Sequence, residues 1–173
     1  MNNNSIKVLS LSRSGQHAFC NWLCLQIGEC KFFNYDGHVN NNGSVSPNVT
    51  YTTPYIGQHN NYSSITLNEN FISTIDADFT IILLRDPFNW IASLCASVRR
   101  SAAQMKTWVT HYKTLVGMAT RSEADLLVKY NDWFVSEEYR QMICNQLGLS
   151  FTDEGINQVP ATGDGSSFDH QEY

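Results

Sequence analysis

Two arginines in this chain stand where an apolar run gives way to the start of a helix. Arg13 follows the run at residues 6–11 and lies in the turn Ser12-Arg13-Ser14-Gly15, while Arg85 directly follows the run at residues 79–84. The first turn of a helix presents unpaired backbone N–H groups and a partial positive charge, so it attracts anions. A guanidinium adds planar donors that match phosphate oxygens. The two segments therefore predict two phosphate-sized anion sites.

Three strands and the helices between them must position these residues. The runs at residues 6–11 and 79–84 have the length and composition of strands, and a third is predicted at residues 126–130. The run at 79–84 is apolar on both faces, which is typical of a central parallel strand covered by helices. Strands that alternate with helices predict an α/β fold, a three-layer αβα domain with a mostly parallel central sheet. Residues 1–173 are expected to form one domain.

Helical spacing of apolar residues follows each predicted strand. One helix is predicted after Gly15, with Gly28 as its C-cap, and a second begins at Asp86 as N-cap with Pro87 in its first turn. The spacing then predicts a long amphipathic helix over residues 98–116 that ends at Gly117, and a last helix over residues 136–147 that ends at Gly148. Residues 34–70 are polar and predict long surface loops with one short strand at residues 51–56.

The carboxyl ends of parallel strands meet at one edge of a sheet, which is where ligands bind in open α/β sheets. Arg13 and Arg85 are therefore expected on the same rim, as suits a ligand with a phosphate at each end. The Walker sequence of nucleotide triphosphatases is absent, because Gln16 and His17 follow Gly15. No G-x-G-x-x-G dinucleotide pattern follows the first strand.

The two segments together resemble the signatures of the sulfotransferase family. The first signature is a strand followed by [KR]-S-G-[TS]-[TS], matched by Arg13-Ser14-Gly15; the second is an apolar strand, Arg, and Ser eight residues later, matched by Arg85 and Ser93. The resemblance implies a P-loop nucleotide-binding-like fold that binds 3′-phosphoadenosine-5′-phosphosulfate (PAPS). The Arg13 turn would hold the 5′-phosphosulfate, and Arg85 with Ser93 the 3′-phosphate.

The chain departs from the family pattern directly after Gly15. Gln16 and His17 replace the usual hydroxyl residues, so contacts with the 5′-phosphate are expected to depend more on backbone N–H groups. His17 is expected to donate to phosphate or sulfate rather than to act as a base, because nearby anions favour its protonated form.

The activity that the resemblance implies is transfer of a sulfuryl group from PAPS to a hydroxyl on a sugar or small molecule. The products are the sulfated acceptor and 3′,5′-adenosine bisphosphate (PAP), and no metal is implied. The family often places a catalytic histidine after a short strand between its two signatures, and His59 stands there, 26 residues before Arg85. His59 is the expected base, with His38 and Glu69 as alternatives, and Arg13 is expected to stabilise charge on the departing phosphate.

Several interpretations remain open at this point. Trp22 has the position to stack on adenine, but its spacing suits the helix core equally well. The segment at residues 163–169, rich in glycine and serine, either closes over the nucleotide or forms a polar tail. Two other functions also fit: a non-catalytic nucleotide-binding module, and a P-loop kinase with a degenerate phosphate loop that would require ATP and magnesium.

Composition narrows the partners. The net charge of -5 argues against a general nucleic-acid binder, which is normally basic. No apolar run approaches the roughly 20 residues of a membrane span, and the first residues are polar, so a cytoplasmic protein without a membrane anchor is expected. The five cysteines form no C-x-x-C pair and are expected to be reduced thiols, most of them buried.

Overall fold

The computed structural model describes residues 6–11, 13–28, 31–35, 48–53, 77–97, 102–121 and 124–158. Helices and one sheet make up these residues, so the fold is mixed α/β. The strands are β1 (Ile6–Ser10), β2 (Lys31–Tyr35), β3 (Asn48–Thr53), β4 (Phe79–Leu84) and β5 (Leu126–Lys129). The helices are α1 (Gln16–Ile27), α2 (Pro87–Ser97), α3 (Ala102–Thr120), α4 (Tyr130–Val135) and α5 (Glu137–Leu147).

The sheet has a parallel half and an antiparallel half. Its strand order is β2-β3-β1-β4-β5. The pairs β1–β4 and β4–β5 are parallel, with Val8 opposite Ile81 and Ile81 opposite Leu126. The pairs β1–β3 and β2–β3 are antiparallel. Parallel pairing was therefore predicted correctly for β1, β4 and β5 only, and β2 lies partly in a region predicted to be loop.

Both faces of the parallel half are packed against helices. Val8, Ile81 and Val128 are fully buried on one face, in a cluster with residues of α1, α4 and α5. Leu9 and Ile82 are fully buried on the other face, in a cluster with residues of α2 and α3. Because consecutive residues of a strand point to opposite faces, burial of both faces accounts for the continuous apolar runs in the sequence.

Most helix ends follow the sequence signals. Gly148, which follows α5, has the left-handed φ of 67° and donates its N–H to carbonyls of the last turn, as expected of a C-cap. The prediction that Gly117 ends the long helix is wrong, because α3 continues to Thr120. One glycine costs a helix only about 1 kcal/mol relative to alanine, and the buried Trp108 and Leu115 of α3 offset that cost.

The cysteines differ from one another. Cys20 and Cys144 are buried free thiols, and burial raises the pKa of the Cys144 thiol to about 11. Cys95 is free and exposed. Cys24, in the last turn of α1, is disulfide-bonded, so the prediction of reduced thiols is wrong at this position.

Among the helices that the structure describes, none has the length and apolar character needed to cross a membrane.

Candidate functional site

The topology brings the ends of β1 and β4 together at a point where the chain connections diverge. From β1 the chain enters α1 on one face of the sheet and continues to β2, on the β3 side of β1. From β4 it enters α2 and α3 on the opposite face and continues to β5. In open α/β sheets such a divergence leaves a crevice beyond the carboxyl ends of the two strands, and ligands bind there.

The turn between β1 and α1 has an unusual backbone. Arg13 has a φ of 70° and Gly15 a φ of 82°, both in the left-handed region, and Ser14 lies between them. Ser14 donates its N–H to the carbonyl of Leu11 at 3.1 Å. Gly15 precedes α1 and makes no side-chain cap. Successive N–H groups in such turns form concave anion sites, so this turn can bind a phosphate or sulfate group.

The side chains that follow Gly15 are mostly turned inward. Gln16 is buried, and its side-chain oxygen accepts a hydrogen bond from the hydroxyl of Ser10 at the end of β1. His17 is partly buried in the first turn of α1. Because Gln16 is engaged with β1, an anion at this turn would be held chiefly by backbone N–H groups.

Arg85, which follows β4, reaches the turn that contains Arg13. Its Nη1 donates a hydrogen bond to the carbonyl oxygen of Arg13 at 3.1 Å. Its Cζ lies 5.3 Å from the centroid of the Tyr130 ring. Its own carbonyl accepts a hydrogen bond from the hydroxyl of Tyr112 at 2.9 Å. The two segments that the sequence analysis paired are thus in direct contact at one edge of the sheet.

The start of α2 differs from that of α1. The carboxylate of Asp86 accepts hydrogen bonds from the backbone N–H groups of Phe88 and Asn89, each at 3.0 Å. This confirms Asp86 as the N-cap of α2. It also corrects the expectation of an anion site at each helix start, because the Asp86 carboxylate already occupies the one at α2. An anion on this side would depend on the guanidinium of Arg85.

Two further residues of the sequence analysis lie on helices. Ser93, two turns into α2, is only 3% exposed. Trp22 is fully buried, with its ring centroid 5.9 Å from that of Phe19 and 5.8 Å from that of Trp133. The core interpretation of Trp22 is therefore confirmed, and its ring has no exposed face on which an adenine could stack.

Two residues that follow β5, and that the sequence pattern did not single out, also lie against the segments of Arg13 and Arg85. Tyr130 is the first residue of α4, and a Cβ placed on Gly15 would overlap its ring. Asn131 accepts a hydrogen bond through Oδ1 from the backbone N–H of Asp86 at 3.1 Å. The signal was available, because a third parallel strand must also end at this edge.

Burial governs the ionisation of the two tyrosines near Arg85. Burial raises the pKa of Tyr130, and the Arg85 cation opposes this rise without cancelling it. The pKa of Tyr112 is raised by burial and further by the negative charge of Asp86. Both hydroxyls are therefore protonated at neutral pH. The hydroxyl of Tyr112 can thus donate its hydrogen bond to the carbonyl oxygen of Arg85.

Some of the predicted residues lie outside the described part of the chain. These are His59, its alternatives His38 and Glu69, and the segment at residues 163–169. Within the part that is described, no group of three or more His, Cys, Asp and Glu side chains is arranged to hold a metal ion.

Comparison of the chain with protein-family models, with curated proteins and with solved structures found no match.

Proposed function

We propose that this chain is a PAPS-dependent sulfotransferase domain that transfers a sulfuryl group to a hydroxyl on a sugar or small molecule. The proposal includes a three-layer αβα arrangement of the P-loop nucleotide-binding type. The observation that supports it best is the contact between the guanidinium of Arg85 and the carbonyl of Arg13 at the carboxyl edge of β1 and β4. That contact joins the two segments that resemble the family signatures.

The chemistry of the two segments fits a nucleotide with phosphates at both ends. The start of α1, which Gly15 leaves without a side-chain cap, suits the 5′-phosphosulfate. Arg85 suits the 3′-phosphate, because a guanidinium binds phosphate oxygens in pairs and stays charged. By resemblance Ser93 contributes a hydroxyl to the same phosphate.

The proposed reaction is an in-line displacement at sulfur. The acceptor hydroxyl attacks sulfur, the bond from sulfur to the bridging oxygen of the 5′-phosphate breaks, and PAP leaves with the electron pair. Arg13 stabilises the charge that develops on the departing phosphate, a role worth about 3 kcal/mol of the barrier. His59 accepts the proton that the acceptor hydroxyl loses, a role that the sequence resemblance alone assigns.

The first test is calorimetric titration of the chain with PAP and with ATP, in the absence of added metal. We expect PAP to bind and ATP to bind more weakly. Arg85→Ala should weaken PAP binding at least tenfold, which corresponds to about 1.4 kcal/mol. Arg121→Ala is the matched control: Arg121 follows the end of α3, before β5 begins and therefore at the opposite edge of the sheet. PAP binding at Arg121→Ala should equal that of the unsubstituted chain.

The outcomes separate the three functions. A chain that ignores PAP and binds ATP with magnesium would be a kinase, and the sulfotransferase proposal would be wrong. A chain that binds PAP but never transfers sulfate from PAPS to any acceptor in a hydroxyl library would be a binding module. For an enzyme, His59→Ala should abolish transfer and leave PAP affinity unchanged. Normal turnover by that variant would contradict the assignment of His59 as base.

A further inference from the structure

The start of α4, which follows β5 directly, touches both segments of the candidate site. Its first residue, Tyr130, packs against Gly15, where any Cβ would overlap its ring. The face of the same ring lies 5.3 Å from the Cζ of Arg85. The next residue, Asn131, binds the backbone N–H of Asp86, which immediately follows Arg85. The start of α4 therefore connects the turn that contains Arg13 with the segment that contains Arg85.

Two contacts hold the guanidinium of Arg85. In one contact Nη1 donates to the carbonyl of Arg13 at 3.1 Å, and in the other the guanidinium lies over the Tyr130 ring. A carbonyl oxygen fixes the direction of one N–H group. An aromatic face attracts a cation and restricts the position of the guanidinium plane. Together the two contacts fix the direction in which the remaining donors point.

The Tyr130 ring is itself held in place. Its centroid lies 5.3 Å from that of Trp133, which is fully buried, and 6.2 Å from that of Phe134, whose ring is nearly parallel at 15°. Trp133 belongs to the core cluster beneath the sheet. The ring is therefore a rigid support for the guanidinium, unlike a flexible surface side chain.

We propose that Tyr130 is a positioning residue that aims the guanidinium of Arg85 and thereby gives the site its selectivity for a ligand with a 3′-phosphate. The inference rests on the proposed function, because it assigns Arg85 to the 3′-phosphate of PAP. Tyr130 acts through its ring and needs no contact with the ligand. Its hydroxyl is not required for this role.

The experiment compares the affinities of PAP and adenosine 5′-monophosphate (AMP), which lacks the 3′-phosphate. Calorimetry gives the ratio of the two dissociation constants for the unsubstituted chain, Tyr130→Phe, Tyr130→Leu and Phe134→Leu. We expect Tyr130→Leu to weaken PAP binding about tenfold and AMP binding less than threefold, since only the 3′-phosphate contact is lost. Tyr130→Phe retains the ring and should keep the ratio within twofold.

Phe134→Leu is the matched control. It removes a half-exposed aromatic ring from the same helix but leaves the Tyr130 ring packed against the buried Trp133 and beside the Arg85 guanidinium. The PAP/AMP ratio of this variant should remain that of the unsubstituted chain. If Tyr130→Leu does not fold, Tyr130→Met fills the space beside Gly15 without an aromatic face and is measured in its place.

A double substitution tests whether Tyr130 acts through Arg85. In the Arg85→Ala background the guanidinium is absent, so Tyr130→Leu should cause no further loss of PAP affinity. Additive losses would contradict the inference, as would equal losses of PAP and AMP binding in Tyr130→Leu. A loss in Tyr130→Phe as large as that in Tyr130→Leu would show that the hydroxyl matters and would also overturn it. If the unsubstituted chain does not bind PAP, the proposed function itself fails.

Discussion

Helices α1 and α2 both begin at the carboxyl edge of the sheet, yet their first turns are completed in different ways. At α2 the carboxylate of Asp86 accepts hydrogen bonds from two backbone N–H groups. At α1 the preceding residue is Gly15, which offers no capping side chain, and Arg13 two positions earlier has a left-handed φ. The start of α2 is thus satisfied by the protein itself, while that of α1 is suited to an anion from outside. The site is asymmetric: a helix start on one side and a guanidinium on the other.

Among changes at the two helix starts, Gly15→Ala is expected to lower the free energy of unfolding the most. The φ of 82° strains any residue with a Cβ, and that Cβ would overlap the Tyr130 ring. The strain and the overpacking together should lower the free energy of unfolding by about 3 kcal/mol, measured by urea denaturation. Gly148→Ala is the control, since Gly148 has a φ of 67° and open space where a Cβ would be. It should cost only about 1 kcal/mol, and equal costs would show that the contact with Tyr130 is not a constraint.

Asp86→Ala should have a smaller effect and on stability alone. Loss of an N-cap costs about 1 kcal/mol, which urea denaturation would detect. Asp86→Asn keeps a capping oxygen and should lose at most a few tenths of that. PAP affinity should not fall in either variant, because removing a carboxylate also removes a negative charge near Arg85. A large loss of PAP binding with unchanged stability would place Asp86 in the ligand site and end the contrast between the two helix starts.

The smallest expected effect is on the free energy of unfolding at alkaline pH. Burial raises the pKa of Tyr130 above the ordinary 10.0, so the folded protein keeps this proton at a pH where the unfolded chain has lost it. The contribution of this raised pKa to the free energy of unfolding is therefore fully present below pH 10.0 and declines as the pH rises above that value. The free energy of unfolding, measured by urea denaturation on either side of pH 10.0, should fall less steeply with rising pH for Tyr130→Phe than for the unsubstituted chain. An identical decline would mean that the Tyr130 hydroxyl ionises equally in both states.

The sequence predicts best the elements whose environment is set by burial alone. Strands β1, β4 and β5 are apolar on both or alternate faces, and their bounds were predicted to within one residue. Strand β3 was predicted at residues 51–56 and lies three residues earlier, at Asn48–Thr53, whereas β2 was not predicted as a strand although it contains Phe32, Phe33 and Tyr35. Their bounds are determined by tertiary pairing, of β3 with β1 and of β2 with β3, which the local sequence does not encode.

The candidate site divides in the same way. Arg13, Gly15 and Arg85 were recognisable because each adjoins a strand end and a helix start. Tyr130 was overlooked at the end of the third predicted strand, since α4 has six residues and is too short to show the helical period that would mark a helix start there. Its packing against Gly15 joins residues far apart in the chain, and no local pattern encodes such a contact. The capping role of Asp86 was predicted, but its consequence for anion binding at α2 required the hydrogen bonds themselves.

The left-handed φ of 70° at Arg13 has a consequence for directed evolution. A side chain in that conformation costs roughly 1 kcal/mol, and glycine at the same position would relieve the cost. A library screened only for heat resistance should therefore enrich Arg13→Gly, whereas one screened for the sulfuryl transfer proposed above should eliminate it. The residue recovered at position 13 would then show whether a given screen had selected for stability or for activity.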